Sequence, residues 1–210
     1  MHYCSHGVSI CRILRTFLTI HAKSDIVKSL KILFVEPPKA EWFVMGEYLP
    51  PPLGILQLAA YVERNCENPE IEVLDCQAAN VDWRGLEKQI EMVSPDVVVP
   101  SALATCNTYV TARTVETTKT VNQEILTVVG GQHFTATANE SLTAYPEIDL
   151  VIRGEGEETL ADVLRTYSKG RPFSNVQGVS FVHNGTIHHS PDRPLLTNLD
   201  MLPYPGYHFV

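Results

Sequence analysis

Ser94-Pro95-Asp96-Val97-Val98-Val99-Pro100-Ser101 is the stretch on which the fold turns. Three consecutive valines form a short apolar run with a proline close on either side. A strand with one wet face alternates apolar and polar residues. A run without alternation belongs where both faces of a sheet are covered, as in a parallel sheet flanked by helices.

Working outward, Lys31-Ile-Leu-Phe-Val35 reads as a strand closed by Glu36-Pro37-Pro38. Gly54 to Asn65 places Ile55, Leu58, Ala59 and Val62 on one helical face, and the prolines at 50, 51 and 52 suit the start of that helix. Ile71 to Leu74 is a second strand, and Trp83 to Val93 a second helix with Leu86 and Ile90 inward. Beyond the valines, a polar helix starts near Thr108. Strands at Ile125–Val129 and Asp149–Ile152 enclose a helix over Phe134–Tyr145. A last helix runs from Gly156 to Lys169, with Gly170 as its cap.

Five β-α units in a row specify an α/β fold, a five-stranded parallel Rossmann/flavodoxin-like sheet flanked by helices. The order 2-1-3-4-5 is expected, with a ligand crevice between the first and third strands. Val179–Val182 and Thr186–His189, joined by Asn184-Gly185, read as a C-terminal β-hairpin. Ser190 to Val210 is proline-rich and reads as an extended linker, mobile in isolation, with Tyr204, Tyr207 and Phe209 exposed. The organisation expected is a leader or surface helix over 1–30, a ligand-binding domain over 31–170, and hairpin plus linker over 171–210.

Composition narrows the function. Twenty-four acids against sixteen Lys and Arg leave a formal charge of −8, which argues against nucleic acid as the partner. No apolar run approaches the roughly 20 residues of a bilayer span. The five cysteines, at 4, 11, 66, 76 and 106, are odd in number and scattered, so they form no disulfide framework. The reading is a cytoplasmic protein. The basic leader has Arg12 and Arg15 inside its apolar stretch and no small-residue cleavage site, unlike a signal peptide.

Familiar crevice ligands fail on the first loop. A dinucleotide fold needs G-x-G-x-x-G after its first strand, but Glu36-Pro37-Pro38-Lys39 stands there, with no glycine before Gly46. A flavodoxin's Ser/Thr/Gly-rich phosphate loop is missing from the same place. So are the clustered acids and the lysine of a response-regulator receiver.

The later loops are informative. Pro51-Pro-Leu-Gly-Ile-Leu-Gln-Leu-Ala-Ala-Tyr61, Pro95-Asp-Val-Val-Val99, Ser101-Ala-Leu103, Val129-Gly-Gly-Gln-His133 and Val151-Ile-Arg-Gly-Glu-Gly-Glu157 occur in that order, each in its expected place in the β-α pattern. Together they resemble the cobalamin (B12)-binding N-terminal domain of B12-dependent radical-SAM enzymes. The resemblance covers roughly residues 31–205, and Leu199-Asp-Met-Leu-Pro-Tyr-Pro205 is similar to the family's bridge into the catalytic barrel.

The resemblance implies that the cofactor's nucleotide tail enters the crevice. Gly130 and Gly131 would let backbone approach it, although a plain turn also uses glycine pairs. Ser101 would hydrogen-bond the tail or serve as a helix cap or loop donor. Ala102 and Leu103 would line the slot, with Gln132 and His133 beside it. Gly154, Glu155 and Gly156 would lie under the corrin or against a neighbouring domain, while Glu157 and Glu158 suit a helix N-terminus on dipole grounds alone.

Asp75-Cys-Gln-Ala-Ala-Asn80 stands where mutase and methionine-synthase domains carry D-x-H-x-x-G, whose histidine ligates cobalt. Asp75 is retained, Gln77 replaces the histidine, and Asn80 replaces the glycine. An amide has no basic nitrogen lone pair to give cobalt. The resemblance is therefore to the radical-SAM branch, with the cobalt's lower face over Cys76 and Gln77 and no histidine beneath it. Of the other histidines, His188 and His189 are adjacent on a strand and point to opposite faces.

The C-x-x-x-C-x-x-C triad of a radical-SAM cluster is absent. By the resemblance, this chain is the cobalamin-binding domain or subunit of a methyltransferase or cyclase-like enzyme and not catalytic by itself. The iron-sulfur cluster and S-adenosylmethionine would belong to the missing radical-SAM domain or subunit. The alternative is a stand-alone cobalamin carrier or a cofactor-free interaction module of the same fold.

Overall fold

The computed structural model of the chain describes residues 29–39, 50–102 and 105–210. Leu103 and nearly all of the 1–30 segment lie outside the described residues.

One sheet runs through the molecule in the order β2-β1-β3-β4-β5-β6-β7. Its strands are β1 Lys31–Glu36, β2 Glu70–Asp75, β3 Val97–Pro100, β4 Leu126–Val129, β5 Leu150–Ile152, β6 Val179–His183 and β7 Thr186–His189. The first five are parallel and follow the expected order. The C-terminal hairpin is also present and joins the same sheet: β6 pairs antiparallel with β5, and β7 with β6, giving seven strands. Leu150, Val151, Val179 and Ser180 are fully buried at this junction, so the hairpin closes what would otherwise be an open sheet edge.

Helices α1 Leu53–Asn65 and α6 Glu157–Ser168 cover one face. Their Ile55, Val62, Leu160 and Leu164 pack with Ile32, Phe34, Val97 and Val99. Helices α2 Trp83–Val93, α3 Thr108–Val121, α4 Gln132–Ala136 and α5 Ala138–Ala144 cover the other. There Leu86 and Ile90 meet Leu33, Val35 and Val98, while Val115, Phe134 and Leu142 meet Val129 and Val151. Val97 and Val99 thus serve one face and Val98 the other. Each fully buried large side chain is worth about 1.5–3 kcal/mol.

Local chemistry sets the helix ends. Asp82 caps α2 by accepting from Gly85 N at 2.7 Å, and Ser94 closes it in the left-handed region at φ 49°. The helix expected over 134–145 is broken at Thr137, where φ is −120°. Its hydroxyl donates to His133 O at 2.8 Å and contacts Ser141 Oγ at 3.0 Å. These local bonds compete with a continuous helix.

Residues 190–210, expected as an extended linker, lie back on the domain as a strap. Arg193 donates from Nε to Thr159 Oγ1 at 2.9 Å and from Nη1 to Glu158 at 3.1 Å, and Nη2 pairs with Asp162. Gln57 Nε2 donates to Pro203 O at 2.9 Å, and Gly206 N to Leu56 O at 3.0 Å. Phe209 packs partly buried against the core, whereas Tyr204 and Tyr207 are exposed as expected.

Candidate functional site

Strand order reverses at β1: the chain leaves β1 toward β2 and returns beyond β1 to β3. Loops leaving the carboxyl ends of β1 and β3 therefore depart in opposite directions, which opens a crevice between them. Glu36-Pro37-Pro38 leaves the end of β1 and Ser101-Ala102 the end of β3. Ser101 N donates to Val35 O at 2.7 Å and draws the two strand ends together. Residues 40–49 and 103–104, which flank the crevice in sequence, are outside the described residues. The Ser101 carbonyl accepts from Thr111 Oγ1 at 2.9 Å, while its hydroxyl has no partner among the described residues. Ala102 is buried with Val115 and Phe134 and belongs to the core beneath the slot.

The loop after β2 is ordered by its own backbone. Asp75 Oδ1 accepts from Gln77 N at 3.0 Å and Ala78 N at 3.1 Å. Ala79 N reaches Asp75 O at 3.0 Å, and Val81 N reaches Cys76 O at 2.7 Å. Asn80 sits in the left-handed region at φ 54°, a conformation asparagine tolerates better than most residues. The turn that a D-x-H-x-x-G glycine would make is thus kept. Cys76 is buried, and its thiol is pushed up to about 12 by burial first, then by Asp75 and Glu36. Burial and these carboxylates keep the free thiol protonated at neutral pH. Gln77 turns its amide nitrogen toward Glu36 Oε1 at 3.4 Å.

At the end of β4, Gly131 takes φ 90° and ψ 176°, a region essentially reserved for glycine. Gly130 packs its backbone beside Ile152. Gln132 is exposed, and His133 stands edge-on to Phe134 with ring centroids 5.3 Å apart. At the end of β5, Gly154 takes φ 75°, and a Cβ added there would meet nothing within 4 Å. Its N–H donates to Thr135 Oγ1 at 3.1 Å, tying this loop to α4.

The rest of the β5 loop has structural partners. Glu155 accepts from Leu196 N at 2.6 Å, which fastens the strap, and Gly156 packs against Leu58 of α1. Arg153 bonds Ser190 O and pairs with Asp192 at 3.0 Å. The structure therefore brings Asp75, Gln77, Ser101, Gly130, Gly131 and Gly154 to one end of the sheet, but gives Ala102, Glu155 and Gly156 to packing.

Sequence reasoning missed Glu36 and Lys39. Glu36 is 7% exposed and accepts from both Lys39 Nζ and Gln77 Nε2. The available signal was a carboxylate ending an otherwise apolar strand. Among the described residues, no group of three or more His, Cys, Asp or Glu side chains is placed to hold a metal. His188 and His189 lie on the hairpin, where His188 stacks on Phe181 and His189 Nδ1 meets Ser180 Oγ at 2.8 Å. Bare backbone thus lies after β4 and β5, and an amide side chain after β2. No helix among the described residues is long and apolar enough to cross a membrane.

Comparison with known proteins identifies the family and the fold. The profile of a family described as the B12 binding domain matches residues 46–164. An uncharacterized methyltransferase of Pyrococcus horikoshii is 35% identical over 184 residues, covering 86% of this chain and 39% of that protein. An anaerobic magnesium-protoporphyrin IX monomethyl ester cyclase of Rubrivivax gelatinosus is 28% identical over 181 residues, covering 82% of this chain and 32% of its own length. The chain thus spans well under half the length of these relatives. Among solved structures, the cobalamin-dependent S-adenosylmethionine radical enzyme OxsB with aqua-cobalamin and S-adenosylmethionine bound aligns with a TM-score of 0.69 at 19% identity, over 86% of this chain and 24% of that one. The radical S-adenosylmethionine methyltransferase TsrM of Kitasatospora setae, with cobalamin and a [4Fe-4S] cluster bound, aligns with a TM-score of 0.65 at 20% identity, over 85% of this chain and 32% of that one.

Proposed function

The chain belongs to the B12-binding domain family, and from that premise we propose that it is the cobalamin-binding part of a radical-SAM enzyme of the methyltransferase or cyclase kind. The observation that carries this reading is the bare backbone at the carboxyl ends of β4 and β5. Gly131 and Gly154 both take positive φ, and Gly154 opens onto free space. A large planar cofactor with a deep-reaching tail needs such an approach.

In this reading Gly130, Gly131, Ser101 and Leu103 hold the tail, with Gln132 and His133 at its flank. Asp75, Cys76 and Gln77 form the floor below the metal and give it no imidazole. Gly154 leaves room, while Glu155 and Gly156 keep the loop and strap in place. Bound cobalamin supplies a cobalt centre able to carry methyl groups or partner radicals, and the protein binds and orients it. Residues 31–170 provide the site. Residues 171–210 complete the sheet and lead toward the radical-SAM domain or subunit that holds the iron-sulfur cluster and S-adenosylmethionine. The relatives' descriptions and the order of the sequence motifs support this assignment.

Incubation with hydroxocobalamin followed by gel filtration tests the reading. A coloured complex of one cofactor per chain is expected. Protein that elutes colourless would overturn it.

A further inference from the structure

Two acids end neighbouring strands at the site. Glu36 of β1 and Asp75 of β2 are register partners in the parallel ladder, yet their carboxylates are used differently. Asp75 Oδ1 accepts two backbone N–H groups of its own loop, from Gln77 and Ala78. Glu36 reaches across the strand gap to the side chain of Gln77, whose Nε2 lies 3.4 Å from Oε1. Lys39 Nζ pairs with the same oxygen and balances the buried charge.

This arrangement decides which way the amide points. An ionised carboxylate only accepts hydrogen bonds, so it favours the amide nitrogen and repels the amide oxygen. With Nε2 engaged by Glu36, Oε1 remains free, and no donor reaches it among the described residues. Cys76 N also donates to the Glu36 carbonyl at 3.0 Å, so the β2 loop is fastened to this residue through both main chain and side chain.

We propose that Glu36 is the positioning residue for side chain 77: it sets the Gln77 carboxamide with its oxygen turned toward the lower face of the bound cofactor. Asp75 is committed to the turn, where it holds the backbone of residue 77 and not its side chain. The inference rests on the cobalamin reading above and adds to it a second strand, β1, as the support of the floor. Where a histidine-bearing site would offer the metal a nitrogen, this floor would offer a fixed hydrogen-bond acceptor to whatever lies beneath the cofactor.

The test is the electron paramagnetic resonance spectrum of cob(II)alamin bound to the full chain, whose g values and cobalt hyperfine splitting respond to what lies on the axial side. Glu36→Leu and Gln77→Leu are expected to shift the spectrum in the same way, and the double variant to match Gln77→Leu alone. Glu36→Gln, which keeps an acceptor, is expected to restore most of the native signal. If Glu36→Leu folds poorly because Lys39 is stranded, the neutral pair Glu36→Leu/Lys39→Met takes its place, with circular dichroism as the check.

A native spectrum in folded Glu36→Leu, or in the Glu36→Leu/Lys39→Met pair that replaces it, overturns the inference. So does a further shift when Glu36→Leu is added to Gln77→Leu, since Glu36 would then act on the cofactor by another route. If the native chain retains no cobalamin on gel filtration, the cobalamin reading itself fails, and that result is separate from either spectral outcome.

Discussion

Lys119 Nζ meets the Asp149 carboxylate at 2.6 Å near the amino ends of β4 and β5. The same ammonium donates to Ile125 O at 2.7 Å and Gln123 O at 3.2 Å. The same carboxylate oxygen accepts from Thr127 N at 2.8 Å and Thr127 Oγ1 at 3.0 Å. One ion pair thus ties α3 to the two strands whose far ends carry Gly131 and Gly154. Lys119→Met should strand these acceptors. Breaking a fully buried pair costs about 3–5 kcal/mol, but the Asp149 side chain is 36% exposed, so about 1–3 kcal/mol is expected. Thermal unfolding by circular dichroism should fall by about 2–4 °C for each kcal/mol. An unchanged midpoint would remove this pair from the account of the fold.

Gly131→Val should abolish cobalamin binding while the chain stays folded. The branched side chain would occupy the approach to the crevice. Its backbone strain of about 1–3 kcal/mol is smaller than the usual stability of a domain, roughly 5–15 kcal/mol. Ser101→Ala should weaken binding by about 1 kcal/mol, the worth of one hydrogen bond. Titration of hydroxocobalamin into each variant measures both effects. Small, equal losses would place the tail elsewhere.

Bound cob(II)alamin should show no axial-nitrogen superhyperfine splitting. Gln77 stands where an imidazole would be needed, and its amide offers no basic lone pair. A splitting that persisted in the native chain and vanished on replacing His133 would sink this prediction.

Alkali should weaken the fold between pH 9 and pH 12. Burial raises the Cys76 thiol from 9.0 to about 12. Burial and nearby carboxylates, Asp96 first among them, raise the Tyr167 hydroxyl from 10.0 to about 12. Both groups hold their protons more tightly folded than unfolded, so their contribution is complete below about pH 9 and is lost as the pH climbs through 12. Urea midpoints at pH 8, 9.5 and 11 check the sign. Site-resolved alkylation at pH 8 should label the exposed Cys106 and spare Cys76. Equal labelling of the two would contradict the buried placement.

This polypeptide by itself should not cleave S-adenosylmethionine. The assay reconstitutes iron and sulfide anaerobically, adds reductant and S-adenosylmethionine, and measures 5′-deoxyadenosine. Product formed by the chain alone would refute the prediction. Product that depends on an added polypeptide bearing C-x-x-x-C-x-x-C would support a divided enzyme.

Much of the parallel core was legible because its strands are apolar runs punctuated by proline, glycine and acids, and each helix shows its buried stripe. Val97–Val99 carried the parallel assignment, and the loops after β2, β4 and β5 carried the site. What escaped was chosen by long-range pairing. Nothing near Val179 reveals that it will pair with Ile152, and nothing near Arg193 announces Glu158, Thr159 and Asp162. Glu36 escaped for the same reason, since its partner Gln77 lies 41 residues away in sequence.

The strap also has a kinetic side. Its bond from Gln57 to Pro203 spans 146 residues, and such distant closures form late because their chain entropy is lost before contact rewards it. At roughly 5–20 residues per second of synthesis, α1 waits on the order of ten seconds after leaving the ribosome before its outer side can be covered. During that interval the outer surface of α1 is available to chaperones and to other nascent chains. Slowing translation between the codons for α1 and the codon for Pro203 should therefore lengthen the aggregation-prone phase of this protein more than slowing it upstream of α1.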